Sequence, residues 1–225
     1  MKIVFALGGS ILVPDEPDLE FMRKFAGFVK ELSKKHRIAI VVGGGRAARR
    51  RISEARKKGA NEVECDYIGI EASRENARMF AEILGEMANR EIPGDFLEAK
   101  AIWDKGKGIV MGGTEPGHST DAVAVILAEY LNADLVLKTT DVDGIYDKDP
   151  QKSKNAKMFK TLPLDKLQDM VAHLSQDAGK YELIDMVGVK ILQRSGIKCI
   201  ALNGRNLENI KKAIEGKGFV GTVIK

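Results

Sequence analysis

Two short apolar runs that each end in a glycine cluster constrain this chain more than any other feature. Gly8-Gly9-Ser10 follows the run 3–7, and Gly43-Gly44-Gly45 follows the run 38–42. Glycine lets the backbone approach a ligand closely, and the N-terminus of a following helix favours anions. Two such loops indicate a chain that holds two phosphate-bearing ligands close together, as a phosphoryl transferase must. Ordinary strand-to-helix turns also use glycine, so either cluster alone leaves that alternative open.

Arginines follow the second glycine cluster directly, at positions 46, 49, 50 and 51. Helical spacing places Arg46, Arg49 and Arg50 on neighbouring parts of one helix face, close to the glycine amides. A planar guanidinium can donate two parallel hydrogen bonds to phosphate oxygens. The pattern favours a phosphate site at this loop, and it assigns Arg51 to the solvent-exposed surface.

Strand-like and helix-like segments alternate along the whole chain. This alternation predicts an α/β fold, a three-layer sandwich with a mostly parallel central sheet covered by helices on both faces. Helices are expected at 19–35, from the second glycine cluster to about 59, and at 66–88, 120–131, 164–174, 184–194 and 207–214. Strands are expected at 3–7, 38–42, 108–111, 135–137, 197–202 and 220–224, with a turn-rich loop over 139–150. The segment 120–131 is apolar almost all round, which predicts a deeply buried helix.

Composition excludes several classes of function. The 225 residues are 44% hydrophobic and 30% charged, with a net charge of only +4, which is typical of a soluble globular protein. Interspersed charges and 6% aromatic residues argue against nucleic-acid binding. No apolar run approaches the length of a membrane span, so no membrane association is expected. Cys65 and Cys199 fit no metal-binding spacing, so we expect buried thiols, no protein-held metal and a cytoplasmic location.

The nucleotide-binding motifs that are most easily recognised are absent or weak. The chain contains no Gly-x-x-x-x-Gly-Lys-[Ser/Thr], and Gly43-x-Gly45-x-x-Ala48 matches only the looser dinucleotide pattern. More informative is an ordered set of four segments: ALGGS (6–10), VVGGGRAAR (41–49), GGTEPGHSTDAVA (112–124) and TTDVDGIYDKDP (139–150).

Together these segments resemble the amino acid kinase family, and within it the archaeal type of UMP kinase. The resemblance covers nearly the whole chain and extends to DAGKYELIDMVGVKI (177–191), and the segment 114–124 is its most discriminating part. It implies transfer of the γ-phosphoryl group of ATP to UMP, giving UDP, with Mg²⁺. It also implies one domain over 1–225, with an acceptor-binding lobe over about 1–131 and an ATP-binding lobe over about 132–225. A homohexamer built as a trimer of dimers is the implied assembly.

The resemblance also assigns roles to particular residues. ATP would contact Gly9, Ser10, Gly45, Arg49, Thr140, Tyr146 and Asp149. UMP would contact Gly44, Asp66, Thr114, Glu115, Pro116, Gly117, His118, Ser119 and Thr120. Lys190 would stabilise the transferring phosphoryl group, and Asp141 would orient catalytic lysines. Asp66 would accept hydrogen bonds from the ribose, although its position also permits a helix N-cap.

One position departs from the family pattern. Ala6 stands where many members carry a lysine, so either the missing charge comes from elsewhere, such as Lys190, Arg49, Lys138 or Mg²⁺, or activity is weakened. Two alternatives remain open on the sequence. One is a kinase of the same fold that acts on acetylglutamate, aspartate, carbamate or isopentenyl phosphate, and the other is an inactive nucleotide-binding protein.

The predicted helix 66–88 is expected to take part in assembly. It carries more apolar surface than one side of a helix needs for its own core, through Met79, Phe80, Ile83, Leu84 and Met87. Part of this surface is predicted to meet a neighbouring subunit in a two-fold contact.

Overall fold

The computed structural model of the chain describes residues 1–173, residue 178 and residues 183–225. Within this part of the chain, seven strands form one sheet in the order β3-β2-β1-β4-β6-β7-β5. Their bounds are β1 Lys2–Leu7, β2 Arg37–Val42, β3 Ile109–Met111, β4 Leu135–Thr140, β5 Thr161–Leu162, β6 Lys198–Asn203 and β7 Thr222–Ile224. All pairings are parallel except that of β6 with β7. The predicted mostly parallel sheet is confirmed.

Helices cover both faces of this sheet. They are α1 Gly9–Leu12, α2 Leu19–Ser33, α3 Gly45–Lys57, α4 Glu62–Leu84, α5 Phe96–Asp104, α6 Thr120–Tyr130, α7 Leu164–Ala172, α8 Met186–Ser195 and α9 Leu207–Ile214. None of the helices in the described ranges is both long and apolar enough to cross a membrane.

The central strand β1 divides its side chains between two apolar cores because alternate residues of a strand point to opposite faces. Ile3, Phe5 and Leu7 pack in a core formed with α2, α4 and α9. Val4 and Ala6 pack in the other core, with α5, α6, α7 and α8. The result is the predicted three-layer sandwich. Helix α6 is buried along most of its length, as its apolar sequence predicts.

Helix α4 differs from the sequence prediction at both ends. It begins at Glu62, not near Asp66, because Asn61 caps it and forms a capping box with Glu64. The alternative role of Asp66 as an N-cap is therefore wrong. Helix α4 ends at Leu84, and a 3₁₀ turn over Gly85–Met87 follows.

The apolar side chains of α4 also differ from the expectation. Phe80 and Leu84 are buried in the core of this same chain, and Met79, Ile83 and Met87 pack against that core. Phe80 lies with its ring centroid 5.7 Å from that of Phe25 of α2. The premise that this surface exceeds the needs of its own core is wrong, so it no longer supports a subunit contact.

Candidate active site

A cleft of about 820 Å³ opens at the carboxyl-terminal edge of the sheet, where β1, β2 and β4 end. Strand β1 lies between β2 and β4, and the chain passes from the β1-β2-β3 side to β4 on the other side. Ligands of open parallel sheets bind at such a reversal of strand order. The topology therefore places the binding cleft where the glycine clusters lie.

The two glycine clusters are in direct contact in this cleft. A Cβ atom placed on Gly9 would lie 2.2 Å from the nitrogen of Gly45 and 2.3 Å from the oxygen of Gly43. Gly45 itself has φ +70°, a conformation that other residues rarely adopt. Only glycine fits at Gly9 and Gly45, because the two backbones pack against each other without side chains between them.

Three helices begin at the cleft: α1 at Gly9, α3 at Gly45 and α6 at Thr120. The first N–H groups of a helix have no partner within it, so longer helices such as α3 and α6 favour a bound anion there. Arg49, one turn into α3, also lines the cleft. Burial lowers the pKa of its guanidinium, as does the neighbouring Arg46, while Asp141 acts in the opposite direction. An arginine stays protonated despite such shifts, so Arg49 adds a permanent positive charge.

An ion pair between a buried lysine and a partly buried aspartate supplies a second cation. Lys138 on β4 is only 6% exposed, and its ammonium group contacts Oδ2 of Asp121 in the first turn of α6. Both residues line the cleft. Lys138 is the register partner of Ala6 on β1, so the lysine lies beside the position where the family lysine is missing. The structure thus brings a lysine to this place from the neighbouring strand.

The acceptor loop, residues 113–119, is held to α4 at its centre by Asp66. Oδ2 of Asp66 accepts a hydrogen bond of 2.8 Å from the backbone N–H of Gly117. His118 lies with Nε2 3.4 Å from Oγ1 of Thr114. Asp66 therefore shapes the loop that is expected to receive UMP, and it also lines the cleft.

The end of the acceptor loop is fixed by a buried carboxylate on a different element. Asp185, 4% exposed, accepts hydrogen bonds from the backbone N–H groups of Ser119 and Gly188. It caps α8, while the Ser119 side chain caps α6 by accepting from the N–H of Ala122. Asp185 thus joins the start of α8 to the start of α6 at the cleft.

The loop after β4 forms the other wall of the cleft. Thr140, Tyr146 and Asp149 all line it. Burial raises the pKa of the Tyr146 phenol. Asp149 accepts a hydrogen bond of 2.8 Å from the N–H of Gln151, which lowers its pKa and confirms that it forms a turn. This wall offers a ring, a hydroxyl and turn amides to a ligand.

Most residues that the sequence analysis assigned to the site meet in the cleft. They are Gly9, Ser10, Gly44, Gly45, Arg49, Asp66, His118, Ser119, Thr120, Thr140, Asp141, Tyr146 and Asp149. Thr114, Glu115, Pro116 and Gly117 belong to the acceptor loop but do not line the cleft. Lys190 is exposed on α8 and is also outside the lining, so the structure does not bring it to the site. Residues 174–177 and 179–182, which include part of the segment 177–191, lie outside the described residues.

No sequence motif predicts a role for Asp121 or Asp185, and Lys138 is only one of several cations that the sequence offers. Lys138 is the one charged residue of β4, and Asp121 is the only charged residue in the first nine residues of the apolar helix α6. A charged residue inside an apolar element is the signal that could have identified this pair, because burying a charge is costly unless it is paired.

The comparisons with known proteins agree with this geometry. The amino acid kinase family matches residues 1–203. The uridylate kinase of Methanobrevibacter smithii is 44% identical over 224 residues, covering 100% of this chain and 99% of that protein. The crystal structure of the Archaeoglobus fulgidus uridylate kinase has a TM-score of 0.86 at 40% identity, over 100% of both chains. The UMP kinase structure from Ureaplasma parvum, with a TM-score of 0.80 at 21% identity over 100% of this chain and 98% of that one, shows the fold alone. The chain belongs to the amino acid kinase family.

Proposed function

We propose that this protein transfers the γ-phosphoryl group of ATP to UMP, producing ADP and UDP for pyrimidine nucleotide synthesis. The observation that carries the proposal is the direct contact of the glycine loops at Gly9 and Gly45, with the buried ammonium of Lys138 in the same cleft. This arrangement can hold two phosphate groups side by side and place a fixed cation in the same cleft. The names of the full-length relatives that are 40% or more identical support UMP as the acceptor.

The chemistry requires little of the protein beyond positioning and positive charge. An oxygen of the UMP phosphate attacks the γ-phosphorus, and the bond from that phosphorus to the β–γ bridging oxygen breaks. Because the second pKa of a phosphate monoester is about 6, the attacking oxygen is already ionised near neutral pH. The site therefore needs cations for the equatorial oxygens rather than a general base.

Lys138 is the proposed source of that charge, in place of Lys190. Asp121 holds its ammonium through their ion pair, as an orienting carboxylate. Arg49 and the N-terminus of α3 contribute positive potential where the phosphates meet. Asp141, exposed at the edge of the cleft, is the proposed partner of Arg49 rather than of a catalytic lysine.

The two ligands are proposed to enter from opposite ends of the cleft. UMP would contact Gly44, Asp66 and the acceptor loop, within a lobe over about 1–131. ATP would contact the loop 139–150, within a lobe over about 132–225. It would also contact Gly9, Ser10 and Gly45, which the first lobe contributes to the same cleft. Tyr146 lines the cleft and would offer an aromatic ring to the adenine of ATP.

Mg²⁺ is proposed to enter with ATP. Among the residues that the structure describes, no group of three or more His, Cys, Asp or Glu side chains could hold a metal ion by itself. Mg²⁺ in such sites is bound by substrate phosphates, water and one or two carboxylates. Asp141 lines the cleft, is exposed and would supply such a carboxylate, so the residues fit the ion. Bound Mg²⁺ would neutralise phosphate charge.

A substrate panel tests the proposal. ADP release from ATP would be measured with UMP, CMP, dUMP, AMP, acetylglutamate, aspartate, carbamate and isopentenyl phosphate. We expect the highest kcat/KM with UMP, because the acceptor loop offers hydroxyls and amides rather than charges that select a carboxylate. A higher value with one of the acids or with isopentenyl phosphate would refute the assignment, and no turnover with any acceptor would support a nucleotide-binding protein without activity.

We also propose a homohexamer, as a trimer of dimers, and a cytoplasmic location. The free, buried thiols of Cys65 and Cys199 support a reducing compartment. Light scattering at micromolar protein concentration tests the assembly, since a monomer would contradict it.

A further inference from the structure

Helix α4 contacts both loops on the acceptor side of the cleft, the second glycine cluster and the acceptor loop. Asn76 on this helix is 7% exposed, and its Nδ2 donates to the carbonyl oxygens of Gly43 at 2.9 Å and Gly44 at 3.2 Å. Both carbonyls belong to the second glycine cluster. One side-chain amide thus holds two successive peptide groups of the loop.

These two hydrogen bonds determine where the loop amides point. In a trans peptide the C=O of one residue and the N–H of the next point in opposite directions. Holding the carbonyls of Gly43 and Gly44 toward α4 therefore turns the N–H groups of Gly44 and Gly45 away from it. Neither N–H donates to another residue within the described ranges. Both glycines line the cleft, so these N–H groups are available to an anion.

The same helix holds the first residues of the acceptor loop through the side chain of Arg74. Its Nε donates to the oxygen of Gly113 at 2.9 Å, and Nη2 donates to Gly94 at 2.9 Å and Thr114 at 3.2 Å. A Cβ atom on Gly112 would lie 2.7 Å from the nitrogen of Arg74, so the end of β3 lies directly on α4. The planar guanidinium reaches three carbonyls that a single ammonium could not reach together.

We propose that Asn76 and Arg74 are positioning residues that divide UMP recognition between them. Asn76 orients the N–H group of Gly44 for the phosphate of UMP, and Arg74 orients the acceptor loop for the nucleoside. This inference rests on the proposed function, because it takes UMP as the ligand of both loops. Neither side chain needs to touch the ligand.

Titration of UMP and of uridine, which lacks the phosphate, separates the two roles. We expect Asn76→Ala and Asn76→Leu, which is uncharged and close to asparagine in size, to weaken UMP binding about tenfold, because the loop amides are no longer held. The dissociation constant of uridine should stay unchanged, so the ratio of the uridine constant to the UMP constant falls about tenfold. Arg74→Lys should weaken UMP and uridine by a similar factor, leaving the ratio as in the wild type.

Matched controls separate positioning from a general loss of stability. Asn89 is 6% exposed and also donates from Nδ2 to two carbonyls, those of Glu91 and Val110, but it does not line the cleft. Asn89→Ala should lower the melting temperature without changing the ratio. Arg78, paired with Glu71 on the exposed face of α4, is the control for Arg74. Arg78→Lys should change neither constant.

The outcomes of the experiment are distinguishable. If wild-type protein binds uridine as tightly as UMP, the phosphate site of the proposed function is wrong. The wild-type protein is expected to bind UMP more tightly than uridine. If the Asn76 variants have melting temperatures like that of Asn89→Ala and still prefer UMP over uridine as strongly as the wild type, the role of Asn76 is wrong. An Arg74→Lys variant that weakens UMP alone, or neither ligand, overturns the role of Arg74. If Asn76→Ala does not fold, Asn76→Leu decides, since it keeps roughly the side-chain volume and removes the donor without adding a charge.

Discussion

Ala6 and Lys138 are register partners in the parallel pairing of β1 and β4, and their side chains lie on the same face of the sheet. The small methyl group of Ala6 leaves room beside the buried ammonium of Lys138. Two ammonium groups at these positions would repel each other, so the alanine and the lysine are compatible as a pair. The charge that the family pattern places on β1 is thus available from β4.

Lys138→Met is expected to lower kcat by roughly a hundred- to a thousandfold, because it removes a preorganised cation from the transferring phosphoryl group. The KM for UMP should change little, since the interaction is strongest in the transition state. Steady-state kinetics of this variant and of Lys190→Met provide the comparison. Lys190 is exposed outside the cleft, so its variant should turn over at nearly the wild-type rate. The reverse pattern would restore Lys190 as the catalytic lysine.

Gly9→Ala is expected to abolish nucleotide binding and to destabilise the fold. The new Cβ would lie within 2.6 Å of backbone atoms of Gly43 and Gly45, so one of the two loops must move. Gly27→Ala is the matched control, because Gly27 is in the interior of α2 with nothing within 4 Å of its Cβ position. That variant should gain about 0.5–1 kcal/mol in free energy of unfolding. Denaturant unfolding measures the stability of both variants, and a nucleotide titration measures binding. A Gly9→Ala protein that is stable and binds nucleotide would contradict the contact between the two glycine loops.

Some of these features can be predicted from the sequence and others cannot. The alternation of elements and the glycine clusters are local patterns, and they gave the fold class and the position of the cleft. The pairing of Lys138 with Asp121 depends on β4 and α6 meeting across the sheet, which no local pattern determines. The same holds for Asn76 and Arg74, whose partners are backbone atoms of distant loops. Helix α5 was not predicted, although Asp95 is its N-cap and Ala99 and Trp103 mark its buried face.

Asp66→Ala is expected to reduce the preference for UMP over dUMP. A carboxylate that accepts a hydrogen bond from the ribose 2′-OH discriminates against the deoxy sugar by on the order of ten- to a hundredfold. Asp66 also holds Gly117 in the acceptor loop, so the KM for both nucleotides should rise. Relative kcat/KM values for UMP and dUMP measure this. An unchanged ratio would leave Asp66 with only its structural contact to the loop.

His36 is expected to make the protein less stable in mild acid. Its Nδ1 is buried without a hydrogen-bond partner among the described residues, and burial, followed by the charges of the N-terminus and Lys35, lowers its pKa. Because the folded state disfavours the protonated ring, the contribution of His36 to stability is complete above the usual pKa of 6.5 and decreases as the pH falls below it.

Melting temperatures at about pH 7.5 and about pH 5 test this pH dependence. The melting temperature of the wild-type protein should fall further between these two pH values than that of the His36→Gln variant, because glutamine does not titrate in this range. Equal losses in the two proteins would show that His36 does not contribute.

The most direct test of the central claim is the identification of the products. Purified protein would be incubated with ATP, Mg²⁺ and UMP, and the nucleotides would be separated by anion-exchange chromatography. The account predicts that UDP and ADP appear in equal amounts, and that Lys138→Met forms both at a rate lower by roughly a hundred- to a thousandfold. ADP formed without UDP, or UDP formed at the wild-type rate by Lys138→Met, would contradict it.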